Sequence, residues 1–506
     1  MHIFFFILHT SFMNIKASEY VNKIKAKMQN NEDVIVRQID IGSYKAFLIF
    51  IDEIVNQEEI NLHIINPLHK YTPSNSLNLE EIKNECVSFG NAVIALENEV
   101  EEKILKGHAA LIIDNETRAL CFNVFSFQTR AIEEPPSSTV ISGPREGFNE
   151  SIKTNVALIR KRIISTKLKI EDLSAGVLTK TSIKLLYLTN IVDNRVVKEI
   201  KKKISNINID GILDSYYLGT LLENKPNSIF RQVGSCEKPD IACAKMLEGR
   251  VVILVDGSPI ALTVPFVLFE DFQSSNDYYS EPHRATTLRV LRILALFLSI
   301  YLPGLYIALQ LYHYKVLPLK FLVTIVNTTQ NLPLNPFLEI FFIIILFDIL
   351  FEASIRMPKY LGIAVSIIGA LILGDTAVKA GLVSPPGVMI VALSAITIYI
   401  IPSQSSQISL LRLIFAFIGG LLGSHGIILA SMFLIAYLAN FDSYYSPYLA
   451  PYAPYILSDQ KDGLTKDNVL SMKLRPQSIS NKNKIRQKIK PLIKEIKQKG
   501  DKKWKS

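Results

Sequence analysis

Long apolar runs are concentrated in residues 291–438, whereas the sequence before them alternates between apolar and polar positions as in a soluble protein. The runs are 291–311, 337–351, 361–380, 387–401 and 411–438. The first, third and last reach the roughly 20 residues that a membrane-spanning helix needs. The pattern predicts an integral, all-α membrane domain at 286–440, behind a large soluble region.

The soluble region shows the patterns of two small α/β subdomains. In the first, residues 33–130, β-branched and aromatic runs predict strands, and the stretch 78–105 favours helix or helix plus connector over strand. In the second, residues 144–285, helical and strand periodicities alternate, which is typical of an α/β unit. The predicted strands of the first are 34–41, 44–52, 107–114 and 118–127, with a turn at 114–117. In the second we expect helices at 148–163 and 195–207, a strand at 182–192 and a hairpin at 249–265.

Two turn signals support these boundaries. Asp256-Gly257 lies between two β-rich runs, and this dipeptide accepts the positive φ of a tight turn. Residues 131–143 are rich in Pro and Ser and predict a linker between the subdomains. The fold class predicted is therefore an α/β soluble N-terminal region of two subdomains, followed by an all-α polytopic membrane domain.

The net charge of +9 comes from the C-terminal end of the chain. Residues 458–506 carry 15 Lys and Arg against 5 Asp and Glu, a net of +10, so the rest of the chain sums to −1. This distribution excludes a generally basic nucleic-acid-binding protein. We interpret 441–506 as a basic tail, either a solvated, partly helical segment or one attracted to anionic lipid head groups.

Charge and cysteine usage indicate which side of the membrane these parts occupy. The basic tail is expected in the cytoplasm by the positive-inside rule. The four cysteines show neither metal-ligand spacing nor a disulfide framework, and reduced thiols fit a cytoplasmic soluble region. If the soluble region and the basic tail lie on the same side of the membrane, the chain must cross the membrane an even number of times. We favour four, with 337–351 embedded or re-entrant; six, with 411–438 folded into a hairpin at its Gly-rich centre, is the alternative.

Residues 1–32 form an N-terminal extension of uncertain character. Its apolar start is short and lacks a basic n-region and a cleavage site, so it is a poor signal peptide. Translation from Met1, Met13 or Met28 is compatible with the pattern.

The sequence contains no constellation that predicts catalysis. Walker A, G-x-G-x-x-G, H-E-x-x-H and G-x-S-x-G motifs are all absent from it, and the eight histidines are scattered. We therefore expect no enzyme activity, no cofactor and no metal site.

The second subdomain and the membrane region strongly resemble the A subunit of GerA-type spore germination receptors. The resemblance covers roughly residues 140–480, and one departure is Cys236-Glu-Lys-Pro-Asp, where the family usually has Thr-Glu-Arg-Pro-Asp. The motifs are PREGFNESIKTNVALIRKRI (144–163), DGILDSYYL (210–218), MLEGRVVILVDGSP (246–259), DYY (277–279), LPGLYIAL (302–309), PKYLGIAVSIIGALILGDTAVKAGLVSP (358–385) and PYLAPYAP (447–454).

The resemblance implies a subunit of a nutrient receptor in the inner membrane of a dormant spore. Its implied partners are a transporter-like B subunit, a lipoprotein C subunit, further copies of the chain and membrane lipids. It also implies that the chain forms a germinant-gated channel for monovalent cations. A non-conducting scaffold and a secondary transporter stay open as alternatives, although no internal repeat of the kind transporters show is visible in the sequence.

Three carboxylates within the apolar segments, Glu339, Asp348 and Asp375, are candidate pore-lining residues. Charge is costly there and tends to face water or a partner, and rings of carboxylates favour cations. The alternatives are an interfacial 337–351 segment with its acids in water, and a pair between Asp375 and Lys379 one helical turn away.

Arg145 and Glu146 precede the helix predicted at 148–163. They are candidate subunit-interface residues, and the alternative is capping and ion pairing at the start of that helix.

Overall fold

The computed structural model describes residues 16–487, apart from 43, 73–76, 88–89, 127–133, 136–138, 141 and 331. Met1 and Met13, most of the predicted linker and residues 488–506 of the predicted tail lie outside the described residues. For Glu85, Cys86, Lys359, Tyr360, Ile363, Val365, Ser366, Ala370 and Leu373 only the backbone is described.

The first subdomain is a five-stranded antiparallel sheet covered by helices. Its strand order is β1-β2-β4-β5-β3, with Val34 opposite Ile51 in the first pair and Leu111 opposite Leu120 in the third. Its elements are α1 (Ala17–Lys27), β1 (Val34–Ile41), β2 (Tyr44–Ile51), α2 (Gln57–Glu59), α3 (Asn66–Lys70), α4 (Leu79–Glu81), β3 (Ala92–Ala95), α5 (Glu97–Leu105), β4 (His108–Ile113) and β5 (Ala119–Asn123).

The four predicted strands are present, but one prediction in this subdomain is wrong. Ala92–Ala95, within the stretch expected to be helix or connector, is the edge strand β3 and pairs with β5. Four residues are too few to show the alternation of apolar and polar positions that is typical of a strand. The backbone pairing with β5 determines their conformation.

The second subdomain repeats this plan. Its strand order is β6-β7-β9-β10-β8. Counted from the first strand of each subdomain, this is the same order as in the first sheet. The elements are α6 (Ile152–Arg162), β6 (Leu168–Ala175), β7 (Thr181–Leu188), α7 (Asn194–Ser205), α8 (Ser215–Leu222), β8 (Gly234–Cys236), α9 (Pro239–Glu248), β9 (Val251–Val255), β10 (Ala261–Val264) and α10 (Ser275–Tyr278). The predicted hairpin is β9–β10, with Gly257 at φ +83° in its loop.

Buried polar contacts hold the two subdomains together. The Arg160 guanidinium of α6 donates to both carboxylate oxygens of Asp33, from Nε at 2.9 Å and from Nη2 at 2.7 and 3.0 Å, and both side chains are fully enclosed. Asn31 donates to the Leu168 carbonyl at 2.8 Å, and the Ile170 amide donates back to Asn31 at 2.9 Å. The subdomains therefore form one unit across this interface.

The helical region follows without a break, as the fold class predicts. Within the described part of the chain, two helices are long and apolar enough to cross a membrane: Pro282–Leu311 and Pro402–Ala439. The elements are α11 (Pro282–Leu311), α12 (Leu319–Thr329), α13 (Pro336–Arg356), α14 (Lys359–Leu371), α15 (Ala377–Lys379), α16 (Pro385–Ile398) and α17 (Ser405–Ala439). A π-helical turn, Ile372–Thr376, joins α14 to α15.

The last helix reverses direction at Gly423, whose φ of 65° and ψ of −157° are non-helical. At one end of α17, Gln404 donates to Asp271 of the second subdomain at 2.5 Å. At the other end, the Asn440 carbonyl accepts from Lys225 of the same subdomain at 3.2 Å. Both ends therefore meet the same soluble unit, and α17 is a hairpin of two arms, each about 25 Å long.

This reversal defines two ends of the helical bundle. At the proximal end, α11 and both arms of α17 meet the second subdomain. At the distal end, the Tyr312 hydroxyl at the end of α11 donates to the carbonyls of Gly420 and Leu421, at 2.9 and 3.0 Å. The Phe337 ring at the start of α13 lies against Gly420 there.

The remaining helices run between these ends in alternating directions. α13 begins at the distal end, α14 and α15 run antiparallel to it, and α16 returns towards the proximal end. Three contacts show these directions. Gly369 of α14 approaches Leu350 of α13, and Ser384 donates to Glu339. The ring centroids of Phe351 and Tyr399 are 4.5 Å apart.

Residues 441–487 differ from the solvated, partly helical segment that is one of the two interpretations of the tail, whereas attraction to anionic lipid head groups stays a prediction. They lie against the second subdomain, where the Tyr444 side chain is enclosed and its hydroxyl donates to the Leu222 carbonyl at 2.6 Å. The Ser443 hydroxyl donates to the Gln232 carbonyl at 2.7 Å and accepts from the Phe266 amide. The segment therefore completes the second subdomain, which the chain reaches again only after α17.

Candidate functional site

The junction between the second subdomain and the first long helix is organised around one carboxylate. Asp277 lies in α10, where its side chain accepts from the Ser274 amide at 3.1 Å and so caps that short helix. Five residues later the chain enters α11, whose first turns carry three arginines, and two of them, Arg289 and Arg292, face Asp277. The sequence thus brings an acid at the end of the soluble region close to bases at the start of the helix.

Asp277 is fully buried and pairs with both arginines. Arg292 donates to its two oxygens at 2.7 and 2.9 Å, and Arg289 donates through Nε at 3.1 Å. Burial opposes ionisation of this carboxyl, but the hydrogen bonds from Arg292 and Arg289 outweigh it and lower the Asp277 pKa.

The segment after α17 joins the same cluster. Asp462 accepts from Arg289 Nη2 at 3.0 Å and from the Tyr278 hydroxyl at 3.0 Å. The Lys466 ammonium donates to the Asp277 carbonyl, and the Lys466 amide donates to the Thr286 hydroxyl of α11 at 3.0 Å. Soluble subdomain, first long helix and C-terminal segment therefore meet at one charged centre.

A second link connects the same subdomain to α17. Asp271 accepts from Gln404, the residue that precedes this helix, at 2.5 Å, and also pairs with Arg231. Movement of the second subdomain relative to the bundle would therefore displace the starts of both α11 and α17. The arrangement therefore offers mechanical coupling between the second subdomain and the starts of these two helices.

Glu339 is enclosed at the distal end of the bundle. Its Oε1 accepts from the Ser384 amide at 2.7 Å and from the Ser384 hydroxyl at 2.6 Å, and Ser384 is the N-cap of α16. Within one chain the carboxylate thus stabilises the positive end of a helix.

Asp348 lies on α13 about 13 Å further along the helix axis. It accepts from Arg412 Nη2 of α17 at 2.5 Å, and the Asp348 side chain is 37% exposed whereas Arg412 is fully buried. Asp375 is on the outside of the bundle and forms the expected pair with Lys379, at 2.8 Å. The three acids therefore occupy three separate sites within a single chain.

Arg145 and Glu146 precede α6, which begins at Ile152 with Ser151 as its N-cap. The expectation that they pair at the start of this helix is wrong. Glu146 pairs with Lys161 at 2.9 Å and with Arg162, and both of these bases are in the last turn of the helix.

Arg145 lies next to that pair and remains available to a partner. Its Nε is 3.8 Å from Glu134, and its side chain is 70% exposed.

Sequence reasoning missed Arg412 and the charged centre at Asp277. Arg412 had a usable signal, because an arginine within an apolar run requires a partner at membrane depth. Asp277 is part of the motif DYY (277–279), but no pattern reports the link through Arg289 to Asp462, which spans 173 residues.

Comparison with known proteins gives a family match over most of the chain. The family model described as Bacillus/Clostridium GerA spore germination protein matches residues 22–478. Spore germination protein KA of Bacillus subtilis (strain 168) is 34% identical over 474 residues, which cover 92% of this chain and 87% of that protein.

Two further proteins show similarity over different extents. The uncharacterized membrane protein YfkQ of Bacillus subtilis (strain 168) is 34% identical over 457 residues, with 89% of each chain covered. The crystal structure of the N-terminal domain of the A subunit of the Bacillus megaterium spore germinant receptor GerK3 is 32% identical. It covers 51% of this chain and 99% of that chain, with a TM-score of 0.40.

Proposed function

The chain belongs to the GerA family of spore germination proteins, and on that premise we propose that it is the A subunit of a nutrient receptor in the inner membrane of the spore. The family resemblance read from the sequence is thereby confirmed. The proposed role is to carry a germinant signal from the soluble unit to the membrane helices. The charged centre at Asp277 supports it, because it joins soluble unit, first long helix and C-terminal segment.

We place the soluble subdomains and residues 441–487 on the cytoplasmic side. The hairpin of α17 supports six crossings, formed by α11, α13, α14 with α15, α16 and the two arms of α17. An even number of crossings agrees with the contacts between residues 441–487 and the second subdomain. Cysteines introduced at the distal end, beside Tyr312, and at the proximal end, beside Gln404, test this arrangement: only the first should react with an impermeant thiol reagent from the outer face.

We propose further that several copies of the chain, together with a transporter-like B subunit and a lipoprotein C subunit, surround a cation path. Asp348 and Asp375 support this proposal, because each keeps an exposed carboxylate within the apolar helical region. Glu339 stays a candidate whose carboxylate reaches such a path only if its bond to Ser384 opens.

A scaffold without conductance is the second candidate, and the pairing of these acids favours it. Within one chain Asp348 is neutralised by Arg412, Asp375 by Lys379, and Glu339 is held as a helix cap. A scaffold needs no more than this.

Ion flux through the reconstituted receptor separates the two. For a channel, Asp348→Asn and Asp375→Asn should lower the selectivity for potassium over chloride, while the exposed control Glu102→Gln on the soluble surface should not. Unchanged flux and selectivity in both variants would remove these acids from the path. A fully assembled complex that conducts no ions with any nutrient would support the scaffold.

The germination role itself is tested in spores. Deletion of the gene in a strain with this receptor as its only one should abolish early potassium release to particular nutrients. The intact gene should restore release, and a gene truncated after Ser280 should not. Normal release in the deletion strain would overturn the proposal.

An interface role for Arg145 is tested separately. Arg145→Glu should reduce co-purification of differently tagged copies of the chain, whereas Arg118→Glu, on the first subdomain, should not. Equal recovery from both variants would exclude Arg145 from the subunit interface.

A further inference from the structure

A cavity of about 920 Å³ lies within the helical bundle, between α13, α14, α16 and α17. Its walls are largely apolar, with the rings of Phe347, Phe351 and Tyr399 among them. Its polar groups come from α13 and from the first arm of α17. Those that matter here are Asp348, Glu352, Ser405, Ser406, Ser409 and Arg412.

Arg412 is the buried cation of this cavity. Its side chain is fully enclosed, and its Nη2 donates to Asp348 at 2.5 Å. Its Nε and Nη1 have no hydrogen-bond partner among the residues that the structure describes. A buried guanidinium with unsatisfied donors is costly, so these two nitrogens call for an oxygen acceptor.

The opposite charge also lines the cavity. Asp348 is 37% exposed, and Glu352, one turn further on the same helix, is 59% exposed. Glu352 pairs at 2.6 Å with Arg356, but both side chains are in solvent, where such a pair is weak. The two carboxylates repel a simple anion at Arg412, and a simple cation would leave the arginine nitrogens unsatisfied.

The cavity also lies at a defined depth. Ser405 begins α17 beside the second subdomain, and Arg412 follows about 10 Å further along the helix. The serine hydroxyls are thus near the proximal surface, and Arg412 is at a depth that a phospholipid head group or a small solute entering from that surface reaches.

We propose that this cavity binds a zwitterion, with its anionic oxygens on Arg412 and its ammonium group at Asp348 and Glu352. Two sources carry this chemistry: the head group of phosphatidylethanolamine, and a free α-amino acid whose apolar side chain contacts the aromatic walls. The site is independent of whether the chain conducts ions.

Gly374 provides a way to fill the cavity without removing a charge. It lines the cavity, and a Cβ added there would meet no atom within 4 Å among the described side chains and backbone. Gly374→Leu should therefore occupy ligand space and keep the fold. Ala364→Leu is the matched control, since Ala364 is exposed on α14 and is not part of the cavity lining.

The experiment uses the full chain in nanodiscs that contain equal amounts of phosphatidylethanolamine, phosphatidylcholine and phosphatidylglycerol. Lipids retained after delipidation are measured by native mass spectrometry, and L-leucine binding is measured by calorimetry. The wild type and Ala364→Leu should show one of the two ligands at least tenfold above Gly374→Leu. Glu352→Gln should weaken the same ligand, because it removes part of the ammonium site.

The outcomes separate the sources. Selective retention of phosphatidylethanolamine identifies a lipid, and saturable L-leucine binding identifies a free amino acid. Preferential retention of phosphatidylglycerol would overturn the proposal, because it shows a site for anions. Equal retention of all three lipids together with no L-leucine binding would also overturn it, as would a Gly374→Leu variant indistinguishable from the wild type.

Discussion

Replacing Asp277 by Asn tests whether the charged centre couples the soluble unit to the membrane helices. The change keeps the size of the side chain but removes the charge that faces Arg289 and Arg292. Asp277 is fully buried, and Arg289 is 1% exposed, so solvent cannot replace the lost carboxylate. Breaking a buried pair by removing one partner costs about 3–5 kcal/mol.

The effect should appear as local opening, measured by hydrogen exchange of the full chain in nanodiscs. The Lys466 amide donates to the Thr286 hydroxyl and reports contact between the C-terminal segment and α11. A loss of 3–5 kcal/mol corresponds to exchange about 100- to 5,000-fold faster at this amide, at about 1.4 kcal/mol per tenfold change. Glu102→Gln, which breaks an exposed pair with Lys106, should leave it unchanged.

Acid should imitate the Asp277 variant. The folded pKa of Asp277 is lowered, so its contribution to stability is present above its unfolded pKa of about 4 and is lost as the pH falls below that value. Protection of Lys466 that is the same in wild type and Asp277→Asn would refute the coupling argument. So would protection that is lost in the variant without any loss of nutrient-induced potassium release.

Three further predictions concern other parts of the chain. Gly423→Ala forces a side chain into a backbone conformation essentially limited to glycine, which destabilises the fold by about 1–3 kcal/mol. The variant should reduce the yield of monodisperse protein, whereas the control Gly374→Ala should not. Burial raises the pKa of Glu53 to about 7, above its ordinary 4.5, so its contribution to stability is lost as the pH rises from 4.5 through 7. Glu53→Gln should remove this decline from thermal melts of the full chain between pH 5 and 8, and an unchanged slope would contradict it. Burial raises the pKa of Cys236 to about 11 and that of Cys243 to about 12. Both thiols should therefore be alkylated at pH 8 only as fast as the chain unfolds. Rapid labelling of the native protein would show that the thiols are accessible and would contradict this prediction.

Several elements were predictable because their signals are local. Runs of β-branched and aromatic residues identified β1 and β2, and the Asp256-Gly257 turn identified the hairpin of β9 and β10. The strand β3 was missed because four residues carry too little pattern. Strand β6 was also not predicted, because polar residues such as Glu171 and Asp172 interrupt its apolar pattern, and these positions are only partly buried or exposed.

The candidate site was predictable only in part. Asp375 and Lys379 are one turn apart on the same helix, so their pair follows from spacing. The partners of Glu339 and Asp348 are 45 and 64 residues away and depend on how the helices pack. No periodicity reports such distances.

The motifs of the sequence by themselves identified the family. Hydrophobic periodicity and turn chemistry predicted the division into an α/β part and a helical part, together with many of the helices and strands, because these signals act over neighbouring residues. Only the tertiary structure decided that the two subdomains share one strand order, that α17 folds back at Gly423, and that residues 441–487 complete the second subdomain. It also decided that Asp277, Arg289 and Asp462 form one charged centre. These features depend on contacts between segments that are far apart in the sequence. Such contacts form when the chain buries its apolar surface, because each charge that is buried with it then requires a partner.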